Sequence, residues 1–472
     1  MPDYPWWFGV DNEYTLKGAI ATGRKDITLQ TIDLIRKFSE QGDEDGRIIH
    51  EVSTNGVIFN AGNVNETPQF SSLIRWVYDW TGERDLLTQN YPIMRSGLNW
   101  LLDKKDSDGN LFPDGYGMME IHGLNSEMID VAVYTQRGLV DAAYVAGLLG
   151  EQQDQRRFER LARELKEKIN KEFWVEEMGA YADFIGTPEE ALVLLEDALV
   201  RADTLDKPWA VAELKEARER IRKYPKGVKR GFVLYHNWVV NTPMEMGIAP
   251  QEKGIRALDK GAKFTNPFGV FVTGIDRDER ADEEDGSFSG SQVFSYVGAV
   301  MTLPTGVQAV AENNYGRPNQ ALDYLQRMTR SFSFALPGSI YEVSPDYGMM
   351  TQAWNLYSYA VPVITQFLGV RPKAAERHVE LMPHLPDAWQ PGVSIERLPM
   401  GDNELTVKYK WKDGRKIAQV EHSRKDWTTS FAFPAGKYNE ILLNGTPQEI
   451  FTEGNKSYIK TDKTDFILEI LL

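Results

Sequence analysis

Two glutamates stand where acid–base chemistry could be done. Glu342 lies in residues 339–355, "SIYEVSPDYGMMTQAWN", between aromatics and just ahead of a Pro-Asp-Tyr-Gly turn. An apolar helical pattern is expected from Met349 to Leu368. Glu120 lies in "GYGMMEIHGLNSEMIDVAVYTQRGL", flanked by Met118, Met119 and Ile121, in a loop leading toward an apolar helix. An apolar neighbourhood raises a carboxyl pKa, which suits a proton donor, while a second carboxyl that stays ionised suits a base. The bland readings are a solvated loop acid for Glu342 and an ion pair with Arg137 for Glu120. Asp130, Glu127, Glu66 and Asp114 are competing acids.

Composition narrows the partners. The 472 residues carry a net charge of −16, which opposes nucleic-acid binding, since phosphates call for basic patches. No long uncharged apolar run marks a membrane span, and no signal peptide opens the chain. There is no cysteine, and the six histidines are scattered without ligand spacing, so no metal or cofactor is expected. The acidic runs at 103–110 and 276–287 lack the spacing of a calcium loop and read as solvated. Aromatics make up 11% of the chain, with 12 Trp and 20 Tyr, enough to line a cleft as well as a core.

The elements that must position these residues change character near Pro372. Before it, helices of two kinds alternate. Residues 129–149 are apolar nearly all round, as in a buried helix, whereas 152–173 carries one apolar stripe through Phe158, Leu161, Ala162, Leu165, Ile169 and Phe173. Residues 291–311 and 318–332 repeat the contrast. About twelve such segments predict a double-layered ring of six helix pairs. Residues 187–230 interrupt it as a charge-rich helical insertion, opened by a capping box at Thr187-Pro188-Glu189-Glu190. After Pro372 the period falls to two: Leu405, Val407, Tyr409 and Trp411 alternate with polar residues. The expected domains are a mainly α barrel over 1–372 and an antiparallel β-sandwich over 373–472. The segment "LMPHLPDAWQPG" is too apolar for a free tether.

Several motifs, in order, resemble the (α/α)6-barrel glycosidases: glucoamylases, glycogen-debranching amylo-α-1,6-glucosidases and processing α-glucosidases. They are "PWWFGVDNEYTLKG", "NVNETPQF", "KEFWVEEMGAYAD", "TQAWN" and "ELMPHLPDAW". Val10 stands where that family usually has Arg, and Asn65 where it often has Asp. Relatives often carry a β-domain ahead of the first motif, so the resemblance implies a longer protein. It also implies an inverting hydrolase of α-linked glucosides or oligosaccharides, with Glu120 as general acid and Glu342 as general base. Asp11 takes the place of the Asp that binds sugar hydroxyls. Sugar contacts are expected from loops before inner helices: Trp6, Trp7, Phe8 and Glu13; Glu66; Asp130; Tyr235, His236, Asn237 and Trp238; and Tyr341, Tyr347 and Trp354 as stacking surfaces. The rival readings are a phosphorylase on the same scaffold and a glycan-binding protein without catalysis.

Overall fold

The computed structural model describes residues 6–42, 45–115, 117–119, 126–204, 206–234, 239–272, 300–334, 336–344, 349–412, 414–434, 438, 440–454 and 456–471. Among these, thirteen α-helices precede residue 370, and all but two form a ring. Six make the inner layer: α1 (Gly9–Ala21), α3 (Glu66–Thr81), α5 (Ile129–Leu149), α9 (Thr242–Glu245), α11 (Thr302–Asn314) and α13 (Asn355–Ala360). Each packs against the next, and α13 closes against α1. Five outer helices back them: α2 (Lys25–Gly42), α4 (Arg84–Lys104), α6 (Gln152–Lys168), α10 (Gln251–Gly261) and α12 (Pro318–Thr329).

The layering follows from the side chains. In α5, the buried residues run from Ile129 through Gln136 on every side of the helix, as a position between neighbours requires. In α6, Asp154, Phe158, Ala162 and Leu165 form one buried stripe at steps of three and four, and the charged remainder faces water. A π-helical turn, Ile169–Phe173, continues α6. The insertion holds α7 (Pro188–Thr204) and α8 (Pro208–Ile221), which pack on each other. Its capping box is formed: Thr187 N donates to Glu190 Oε2 at 2.7 Å and Glu190 N to Thr187 Oγ1 at 3.3 Å.

Two helical expectations need correction. The segment expected as a helix from Met349 begins its α-helix at Asn355 and passes into a π-helix over Val361–Phe367. Residues before it are held by loop bonds instead, with Glu342 N donating to Met349 O and Gln352 N to Ile340 O. The helix expected over 291–311 begins only at Thr302, because Val300–Met301 pair as a strand with Val343–Ser344; residues 291–299 lie outside the described set.

Short strands lead into the inner helices. In the first sheet, β1 (Trp6–Phe8) pairs antiparallel with β2 (Glu51–Ser53), which pairs with β3 (Ile58–Asn60). At the other end of the chain, two sheets of five and six strands are formed within residues 370–471. The first of these strands starts at Val370, and one pair, His378–Leu381 with Thr428–Pro434, runs parallel rather than antiparallel. The chain between those strands crosses through the other sheet, the long connection that parallel pairing needs. The linker is fixed: Met382 N donates to Gly369 O at 2.9 Å, and Tyr409 OH to Leu368 O at 2.9 Å. Among the described residues, no helix is long and apolar enough to cross a membrane.

Candidate active site

The N-terminal ends of α1, α3, α11 and α13 meet around a cavity of about 440 Å³. Asp11, Glu66 and Asp130 each sit in the first turn of an inner helix, where the positive end of the helix dipole favours a carboxylate. Asp11 and Glu66 line the cavity, as do Trp7, Phe8, Glu342 and Trp354. Thus, with Trp6, seven expected site residues from separate stretches of the chain line one cavity.

Each is held by specific partners. Phe8 ends β1 in extended geometry and precedes α1, so the strand carries its aromatic residues to the edge of the cavity. Gln352 Nε2 donates to Asp11 Oδ1 at 3.1 Å, tying the "TQAWN" motif to the first motif. Glu342 is 8% exposed, and Met349 N donates to its Oε2 at 3.0 Å while its backbone carbonyl accepts from Thr302 N. The carboxylate is therefore oriented from the loop side, next to the start of α11. Trp354 Nε1 donates to Thr302 Oγ1 at 3.1 Å and the ring is almost wholly buried, so it presents only an edge.

His50, to which no function attached in the sequence, is the main addition. Its Nδ1 lies 2.5 Å from Glu66 Oε1, and Asn63 N donates to Glu66 Oε2 at 3.1 Å. Phe8 packs edge-on against the imidazole. A lone histidine in a loop gives no spacing signal; the pairing of β2 with β3, with His50 N donating to Asn60 O, brings it to the segment that leads into Glu66.

Other expected residues fall elsewhere. Asp130 is fully buried behind the wall, where it accepts from Met118 N at 2.7 Å and Asn65 Nδ2 at 3.1 Å. Burial pushes its carboxyl up to about 6, against the opposing pull of those donors. Its place is that of a support, not a described wall residue. Glu13 is likewise buried within α1, its carboxyl raised well above the usual range by burial and then by the nearby Glu66 charge. Tyr341 is half-buried, is not among the described wall residues, and offers its backbone carbonyl to Thr302 Oγ1. Glu127 pairs with Lys229 and Asn110 away from the cavity. Arg137 pairs with Asp141. Glu120, Tyr235, His236, Asn237, Trp238, Tyr347 and the acidic run 276–287 lie outside the described residues. Gly117 and Met118, just before Glu120 in sequence, do line the cavity.

The geometry agrees with what comparison finds. Residues 34–235 match the model of the bacterial α-L-rhamnosidase six-hairpin glycosidase domain. No curated protein matches. An α-L-rhamnosidase from Dictyoglumus thermophilum superposes with a TM-score of 0.56 at 10% identity, over 97% of this chain and 46% of its own. One from Streptomyces avermitilis, complexed with L-rhamnose, gives 0.59 at 12%, over 98% and 38%. The GH63 mannosylglycerate hydrolase from Thermus thermophilus, in complex with glucose, gives 0.51 at 12%, over 76% and 93%. This chain spans less than half the length of the two rhamnosidases. At such identities the likeness speaks for the fold, and the chain has the fold of the six-hairpin, (α/α)6 glycosidases.

Proposed function

We propose that this chain is an inverting glycoside hydrolase, with Glu342 as general base and Glu120 as general acid. The observation that carries this reading is the cavity itself. A carboxylate oriented by a backbone N–H faces a wall of indole and phenyl rings and the Asp11–Gln352 pair. Its volume lies within the range of about 300–1,000 Å³ typical of small-molecule sites. Aromatic faces suit the apolar side of a pyranose, and Asp11 suits its hydroxyls.

The preferred substrate class is an α-L-rhamnoside, supported by the family model over residues 34–235. A mannosylglycerate-type glycoside is the second reading, favoured because that hydrolase is covered over 93% of its length. The α-glucosides implied by the sequence motifs draw no support from these comparisons. A panel of nitrophenyl α-L-rhamnoside, α-D-mannoside and α-D-glucoside, with and without phosphate, tests the proposal. Turnover of the rhamnoside above the other two is expected. Turnover that requires phosphate would make the chain a phosphorylase, and sugar binding without turnover of any glycoside would leave a lectin-like protein.

A further inference from the structure

A second cavity, of about 560 Å³, opens at the opposite end of the toroid. It lies where α1, α3 and α5 have crossed the barrel. From Asp11 to Lys17 is six residues of α1, roughly 9 Å of rise. Between the two mouths lies a hydrogen-bonded layer. Tyr14 OH and Tyr134 OH lie 2.5 Å apart, so one donates to the other and the second is left to donate to Glu245 Oε2, 3.3 and 3.2 Å from the two hydroxyls, while Tyr357 OH donates to Oε1 at 2.5 Å. Glu245 and Tyr357 also line the second cavity.

The walls of this mouth mix fixed cations and anions. Arg137, on an inner helix, is held bidentately by Asp141, with Nε and Nη2 donating at 2.7 and 2.8 Å. Its side chain nonetheless keeps 36% of its surface accessible, although Asp141 has 0%. Both residues line the cavity, so that surface is wetted from inside it. Arg75 donates to Asp79 at 3.1 Å and stacks over Tyr144. Lys17 is 5% exposed, and its ammonium has one hydrogen bond among the described residues, to Gln69 Oε1 at 3.2 Å. Trp76 and Trp80 add indole surface. Such partly exposed ion pairs add little to stability.

We infer that this second mouth binds a neutral, monosaccharide-sized polyol. A sugar hydroxyl donates and accepts at once, so it needs N–H groups and carboxylates side by side. Arg75, Arg137 and Asp79 offer both at the cavity surface, with side chains 21%, 36% and 25% accessible. Both guanidiniums are already neutralised by a carboxylate partner, so neither an anion nor a cation finds an unpaired countercharge there. The donors are already pinned, so little ordering cost remains on binding. The site does not depend on the proposed hydrolysis.

Calorimetric titration of the full chain with L-rhamnose, D-mannose and D-glucose tests it, using two variants away from the first cavity. Gly247 lines the second mouth at φ +64°, and a Cβ there would meet nothing within 4 Å. Asn tolerates that backbone, so Gly247→Asn adds an amide at this exposed rim position without a clash. Arg371→Leu removes a rim cation paired only loosely with Glu380, at 3.4 Å. For at least one sugar, the wild type should bind one equivalent more than Gly247→Asn. Arg371→Leu should weaken that equivalent by roughly tenfold, the loss of one charge-assisted hydrogen bond. Should Gly247→Asn fail to fold by circular dichroism, the Arg371→Leu shift decides. Identical binding by wild type and the folded variants, or displacement of the sugar from this mouth by sulfate, would overturn the inference. Hydrolysis is measured separately, so either reading can fail without the other.

Discussion

The Asn65 side-chain amide donates to Asp130 Oδ2 across 3.1 Å, joining the start of α3 to the first turn of α5 directly behind the candidate active site. An amide at this position supplies a donor to the Asp130 carboxyl. With Asp at both positions, two acids would confront each other in a buried setting.

The sign of the pH dependence follows. Burial raises the Asp130 carboxyl from its ordinary 3.8 to about 6, so the folded chain holds that proton more tightly than the unfolded one. The stability it contributes is full below the ordinary value and is lost as pH rises through about 6. In Asn65→Asp the second carboxyl adds repulsion once both are ionised. We expect that variant to be less stable than wild type by about 1–3 kcal/mol at pH 7, the scale of a buried polar group left unsatisfied, with the deficit shrinking toward pH 4. Denaturant melts across that range read it directly; a deficit independent of pH would contradict the pairing.

Gly117 is fixed by the same carboxylate. Its φ is +59°, and a Cβ built there would lie 2.7 Å from both Asp130 oxygens. Gly117→Ala should therefore cost more than a surface change, with strain and clash acting together. The expected readout is a lowered melting temperature together with weakened sugar binding, since Gly117 and Met118 form part of the wall. An alanine variant as stable as wild type would mean that the turn at 117–119 is not held as described.

How much of this was legible beforehand depends on whether the signal is local. The inner and outer helices announce themselves through α5, apolar all round, and α6, with a single stripe, because burial pattern is written into consecutive residues. Asp11 and Glu66 could be picked out because each stands in a motif at a helix start, and Glu342 because it lies among aromatics just before a turn. His50 could not, because its partner Glu66 is brought to it by strand pairing sixteen residues away. Asp130 and Glu13 could be named as acids near the site, but whether a first-turn carboxylate faces the cavity or the barrel wall depends on helix rotation. That is set by neighbours such as Tyr134 and Tyr14, which turn inward to Glu245.

The His50–Glu66 contact supports a prediction about binding. Replacing His50 by Ala removes the partner of Glu66 Oε1 and leaves a buried carboxylate with the Asn63 amide on its other oxygen. The cost should appear as a raised KM by roughly tenfold or more, with stability lowered, because the wall that Glu66 and Phe8 share loses its support. His50→Gln, which can still donate to Glu66, should recover much of the loss. Equal defects in both variants would argue that the imidazole acts in some other way.

Glu342→Gln keeps the acceptor for Met349 N–H but removes the proton-accepting carboxylate. Hydrolysis should fall by about 10²–10⁴-fold, with sugar binding and melting temperature near wild type. Glu120→Gln should behave alike. The wild-type rate should trace a bell against pH, whose two limbs belong to the pair as a coupled system. Near-normal turnover in either variant would remove that residue from the mechanism, and a flat pH profile would count against two carboxyl groups.

Stereochemistry is the sharpest test of the two roles. If Glu120 protonates the glycosidic oxygen while Glu342 activates water, the water must reach the anomeric carbon from the face opposite the leaving group. An inverting pair is about 6.5–9.5 Å apart to admit that water, against about 5–5.5 Å where the second carboxylate itself attacks. Glu342 lines the cavity and precedes α13 in the chain, and Glu120 precedes α5 in sequence. In the ring order α1, α3, α5, α9, α11, α13, two inner helices separate α5 from α13 on one side and two on the other, so these starts lie across the mouth from each other. On those roles water attacks from the face opposite the leaving group, which inverts the anomeric centre. The first sugar released from an α-linked substrate should therefore be the β-anomer. Proton NMR in the opening minutes of the reaction, before mutarotation, resolves the anomeric signals, and an α-anomer appearing first would mean double displacement with a carboxylate as nucleophile.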